Sequence, residues 1–145
     1  MLYVPDKKGE KRAKPRMNVI IYSKEENSLV NRLRAIIEAS LAKDRIETFK
    51  TINKLKERIL QPVYGCIPIL IVIAKEGDLI ELLSIINSLR SRVRIILILP
   101  DSKPETIKMG YKLEPRLLSV MGGELSVVQA VLEKMLKEAR RKWRK

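Results

Sequence analysis

The stretch Ile67–Asp78, IPILIVIAKEGD, decides the fold. A run of mostly branched apolar residues ends at Ala74 and gives way to a polar turn. A strand with one solvated face alternates apolar and polar residues, whereas a strand buried on both faces is apolar throughout. This run is of the second kind and belongs in the middle of a parallel sheet. In open parallel sheets, ligands and chemistry gather at the carboxyl ends of the strands. The residue this strand delivers there is Ala74, which has no functional group.

Four more units of the same kind surround it, each an apolar run followed by a helical period. Strand 1 is Asn18–Tyr22, NVIIY. SKEE follows, which predicts Ser23 as a helix N-cap with Glu26 reaching back to complete a capping box. Leu29, Leu33, Ile36 and Ile37 mark one face of the first helix. Strand 2, Arg45–Thr51, is more polar and alternates, which suits a sheet edge. Ile52, Leu55 and Ile59 form a short helix that stops before Pro62. After strand 3, Asp78 is placed to cap a helix carrying Leu79, Leu82, Leu83 and Ile86. Strand 4 is Val93–Leu99, VRIILIL. The following PDSKPE predicts Ser102 as cap, Pro104 in the first turn and Glu105 closing a second capping box, with the helix ending near Gly110. Strand 5 is Arg116–Met121, and Gly122-Gly123 turns the chain into a last helix whose face is Leu125, Val128, Leu132 and Met135.

Five strands alternating with five helices predict an α/β fold, a doubly wound five-stranded parallel sheet with helices on both faces. Right-handed crossovers leave few topologies, and 2-1-3-4-5 places the most apolar strand centrally and the most polar at an edge. The expected organisation is a basic N-terminal arm over 1–16, one domain over 17–138 and a basic helix end or tail over 139–145.

The 145-residue chain is long enough to bury a sizeable core, and its net charge is +13. That charge sits at the ends. Residues 1–16 hold six basic and two acidic residues, and 134–145 hold seven basic and one acidic. The body between is nearly neutral. There is no histidine and one cysteine, Cys66. The commonest general base and commonest metal ligand are therefore missing, and soft-metal sites are close to excluded. Cys66 reads as a small buried hydrophobe. No apolar run reaches the length of a membrane span or a signal peptide, so the default compartment is the cytoplasm. No cofactor is implied.

Candidate sites are few. Neither glycine-rich phosphate motif is present, and Gly122-Gly123 reads as a tight turn rather than an anion cradle. Glu25, Glu76, Asp78 and Asp101 fall in loops on the carboxyl side of the sheet, where clustered acids would hold Mg²⁺ through oxygen, but Lys24 and Lys75 lie among them. A nucleotide or flavin at the switch between strands 1 and 3 would meet Ser23, Lys24 and Lys75. The terminal run that includes Arg140, Arg141, Lys142, Trp143 and Arg144 favours a helix C-terminus and is also a candidate anion-binding stripe.

The five-fold pattern, from VIIYSKE through PILIVIA and IILILP to LLSVMGG, resembles the response-regulator receiver domain (CheY-like) over roughly residues 17–138. In that family an acidic pair ends strand 1 and binds Mg²⁺. An Asp ending strand 3 accepts a phosphoryl group, a Ser/Thr ends strand 4 and a Lys ends strand 5. Here Ser23 and Lys24 stand where the acidic pair belongs, Ala74 at the acceptor, Leu99 at the hydroxyl and Val120 at the Lys position. A carboxylate must attack phosphorus and acidic oxygens must hold the metal. The resemblance therefore implies a degenerate pseudo-receiver, a non-enzymatic signalling module that acts through protein–protein contact. It further implies that helix 4, strand 5 and helix 5 form an interaction surface bearing Tyr111, Arg116, Gln129, Glu133 and Lys137, suited to homodimerisation or to other signalling proteins. The alternative is non-specific nucleic-acid or anionic-surface binding through the basic tails.

Overall fold

The computed structural model describes residues 18–25, 28–39, 45–61, 67–75, 77 and 79–144. The expectations for the arm 1–16, Glu26, Pro62, Cys66, Glu76 and Asp78 lie outside the described residues, as do the side chains of 139–145.

Strand β3 (Ile69–Ile73) has every residue buried. Its odd members Ile69, Ile71 and Ile73 enter one apolar cluster, and Leu70 and Val72, followed by Ala74, enter another on the opposite face. The same alternation runs through β1 (Val19–Ser23) and β4 (Arg94–Leu99), with Ile21 and Ile96 on the first side and Ile20 and Leu97 on the second. Strands β2 (Ile46–Phe49) and β5 (Leu117–Val120) are shorter and less buried. All pairings are parallel, in the order β2-β1-β3-β4-β5. The polar strand is an edge and the all-apolar strand is the centre, as its composition requires.

Two-sided burial demands helices on both faces. Helix α1 (Ser28–Glu38) contributes Val30, Leu33 and Ile37 to the first cluster, and α5 (Leu125–Arg144) adds Val128, Leu132, Met135 and Leu136. The second cluster receives Leu55 and Ile59 from α2 (Ile52–Leu60) and Leu79, Leu82 and Ile86 from α3 (Leu79–Asn87). Helix α4 (Pro104–Tyr111) packs Ile107 and Met109 against the same side. A 3-10 turn over Arg90–Arg92 joins α3 to β4. The polar edge is tied down electrostatically: the Arg58 guanidinium of α2 grips both oxygens of Glu47 on β2, at 2.7 and 2.8 Å. This bidentate geometry raises the Arg58 pKa, first through the hydrogen bond to Glu47 and against the opposing effect of partial burial.

Two local expectations need correction. Ser23 does not cap α1. It is the last residue of β1, aligned with Ile73 of β3, and the helix starts at Ser28. The strand ladder continues one residue further than the apolar run because Ser23 is itself buried and its hydroxyl donates to the Glu25 carbonyl at 2.6 Å. Ser102 does not cap α4. Lys103 occupies that position with Pro104 following, and no side chain of the cap residue bonds the helix. The Asp101 carboxylate accepts instead from the Lys103 N–H at 3.0 Å, an Asx turn that sets the chain's entry. Thr51, not singled out by the sequence pattern, does cap α2 by accepting from the Lys54 N–H.

Helix α4 ends at Tyr111, one residue past Gly110 and near where the sequence pattern puts it, with the glycine inside the last turn. A Cβ there would lie 2.8 Å from Leu118 Cδ1, 3.2 Å from Leu97 Cδ2 and 3.3 Å from Leu99 Cδ1. The glycine is a close approach of helix to sheet. Gly110→Val should therefore lower stability by about 2 kcal/mol through overpacking, measured by urea unfolding. Ile71→Ala at the centre of β3 should cost about 3–4 kcal/mol, read as a lower urea midpoint at unchanged slope.

Candidate functional site

The carboxyl ends of β1, β3, β4 and β5 lie side by side. Ser23 is aligned with Ile73, and Leu99 with Val120. The Ala74 N–H donates to the Ile98 carbonyl at 2.9 Å, and the Met121 N–H to the Leu99 carbonyl at 2.8 Å, so the ladder carries on past each strand. This places Ser23, Ala74, Leu99 and Val120 at one end of the sheet, as the strand order predicts.

The apolar core reaches this end. Ala74 is 3% exposed and shares its cluster with Leu79, Leu82 and the fully buried Leu99. Val120 is half-buried. The Ser23 hydroxyl is engaged by the backbone of Glu25. The charged groups stand outside this plug: Lys24 is exposed, and Lys75 forms an ion pair with Glu25, both well exposed.

The loop acids do not converge among the described residues. Glu25 is paired with Lys75. Asp101 accepts from the Lys103 N–H, and that bond first, helped by the nearby Thr106 hydroxyl, holds its carboxyl below the ordinary range. No group of three His, Cys, Asp or Glu side chains placed to hold a metal occurs among the described residues. At the other glycine candidate, Gly122 has φ +84° and the Gly123 N–H donates to the Val120 carbonyl at 2.9 Å, so this is a tight turn.

Tyr111, Arg116, Gln129, Glu133 and Lys137 are all exposed on α4, β5's entry and α5. Tyr111 is 62% exposed. The Gln129 amide donates to the Glu133 carboxylate one turn later, at 3.2 Å. Strand β5 pairs with β4 alone among the described strands, so its outer edge has no strand partner there. Two exposed apolar side chains on these elements escaped the sequence reading, Met121 and Val127. Val127 was detectable, since it falls off the apolar face set by Leu125, Val128 and Leu132. The backbone of α5 continues through Arg144, which places residues 140–144 on the helix.

No family model matches the sequence, and no curated protein matches it significantly. Solved structures do. A response regulator receiver protein from Dyadobacter fermentans superposes with a TM-score of 0.64 at 14% identity, covering 82% of this chain and 97% of its own. A CheY-like receiver domain protein from Methanospirillum hungatei gives 0.58 at 11% identity, covering 86% and 97%. A putative pilus assembly protein from Burkholderia thailandensis gives 0.56 at 18% identity, covering 87% and 99%. With five parallel strands in the order 2-1-3-4-5 and helices on both faces, the chain has the CheY-like fold of response-regulator receiver domains.

Proposed function

We propose that the chain is a receiver-like signalling module that works without phosphorylation, by protein–protein contact. The observation that carries this reading is Ala74. The central strand ends there in a methyl group, 3% exposed, inside an apolar cluster that includes Leu99. Phosphoryl transfer onto such a domain requires a carboxylate as nucleophile and acidic oxygens to hold Mg²⁺. Lys24 at the metal position would repel the cation, and neither Leu99 nor Val120 can bond a phosphoryl oxygen. A domain so built presents a constant surface rather than one switched at this end of the sheet.

The contact surface is the α4–β5–α5 side. Its support is the exposed side chains of Tyr111, Met121 and Val127 beside an edge strand that pairs on one side only among the described residues. Exposed apolar groups of this kind, on elements that also carry Arg116, Glu133 and Lys137, have the composition of a modest self-complementary contact.

Incubation with acetyl phosphate and Mg²⁺ should leave the intact mass unchanged; a stable single phosphoryl adduct would overturn the reading. Sedimentation velocity should show reversible dimerisation as concentration rises. Val127→Glu should weaken it by roughly tenfold or more, because a charge is then desolvated at the contact. A monomer at every concentration would remove the self-association.

A further inference from the structure

The opposite, amino-terminal end of the sheet carries a groove of about 430 Å³. Its walls come from the entry to β3 (Ile67), the 3-10 turn and start of β4 (Arg90, Ser91, Val93, Arg94), and the turn from α4 into β5 (Leu113, Glu114, Arg116). Sheet register brings these segments together. The Arg94 N–H donates to the Pro68 carbonyl at 3.0 Å and the Arg116 N–H to the Ile95 carbonyl at 2.7 Å.

The charge around this groove is one-sided. Three arginines line it against one acid, Glu114. Glu114 is already engaged by Arg90 at 3.2 Å, and Arg90 also donates to the Lys112 carbonyl at 3.3 Å. The two contacts hold the Arg90 guanidinium over the turn. Glu114 sits in the left-handed region at φ +53°, a conformation that residues other than glycine adopt at a cost. Arg94 and Arg116 have no ion-pair or side-chain hydrogen-bond partner among the described residues. The nearly neutral charge of the body as a whole makes this local excess notable. Beside the cations lies apolar surface: Ile67 is 41% exposed, with Val93, Ile95 and Leu113 behind it.

Arginine is the side chain best suited to phosphate, because its planar fork gives two parallel hydrogen bonds and its charge does not titrate away. The groove volume lies within the range of small-molecule sites, and apolar wall beside a few placed polar groups is their usual make-up. We infer that the amino-terminal groove binds a nucleoside phosphate, its phosphates on Arg90, Arg94 and Arg116 and its base against Ile67. This site lies at the opposite end of the sheet from Ser23, Lys24 and Ala74 and shares only Arg116 with the self-association face proposed above.

The test titrates the full chain with ATP, GTP, AMP and inorganic tripolyphosphate, following melting temperature and calorimetric heat. At least one nucleotide should raise the melting temperature in a concentration-dependent way and bind more tightly than tripolyphosphate. Arg116→Glu and Arg90→Glu, each checked for a native circular dichroism spectrum, should weaken it about tenfold or more. Arg90 lies outside the α4–β5–α5 face, so its variant separates loss of ligand from loss of self-association. Lys24→Glu makes the same change of charge at the other end and should leave binding intact. Binding by no nucleotide would overturn the inference. So would tripolyphosphate binding as tightly as any nucleotide, equal loss in Lys24→Glu, or binding that survives both arginine reversals.

Discussion

Everything in this structure depends on the burial of β3 on both faces. Its backbone is hydrogen-bonded to β1 on one side and β4 on the other, and its side chains alternate between two apolar clusters. Each buried isoleucine contributes on the order of 2–3 kcal/mol relative to an exposed one. That stabilisation exists only if both faces are covered. Parallel strands in turn need long crossovers, and the helices that make those crossovers, joined by the terminal α5, are the covers: α1 and α5 on one side, α2, α3 and α4 on the other. The close seat of Gly110 against three leucine methyls shows how tightly the second cover fits.

The same core explains the character of the carboxyl end. Apolar packing does not stop at the last strand residue but runs on through Ala74 and Leu99. A carboxylate in place of the Ala74 methyl would be taken from water into that cluster, an unfavourable transfer without partners. Charge at this end is pushed outward, to Lys24 and to the Lys75–Glu25 pair, where water screens it. At the amino end the apolar residues give out earlier. Arg94 opens β4 and Arg116 precedes β5, so cations stand at the margin of the core there. The two ends of one sheet thus differ in what they can bind.

The interior was largely legible from local pattern. The apolar runs marked five strands, and the most and least apolar of them became centre and edge. Helical periodicity picked out Leu33, Ile37, Leu55, Ile59, Leu82, Ile86, Val128 and Leu132, all buried. Helix starts were less legible. Ser23 and Ser102 both had capping-box spacing, yet one extended a strand and the other yielded to Asp101. A serine followed by an acid three residues later fits several backbones, and which one forms depends on how far the neighbouring strand continues the ladder. Gly110 marked the end of α4 to within a residue, but its close contacts across the sheet were not legible from the sequence.

Alone, the order of residues determined the class of fold, the central place of IPILIVIA, the two helix-covered faces and the lack of a functional group at Ala74. These follow from periodicity and side-chain chemistry, which act over a few residues. Only the tertiary structure decided that the core closes over the carboxyl end, and that Ile67, Arg90, Arg94 and Arg116 line one groove. Those residues come from three separate segments. They meet because parallel register aligns the entries of β3, β4 and β5, a constraint set by hydrogen bonds between strands far apart in the chain.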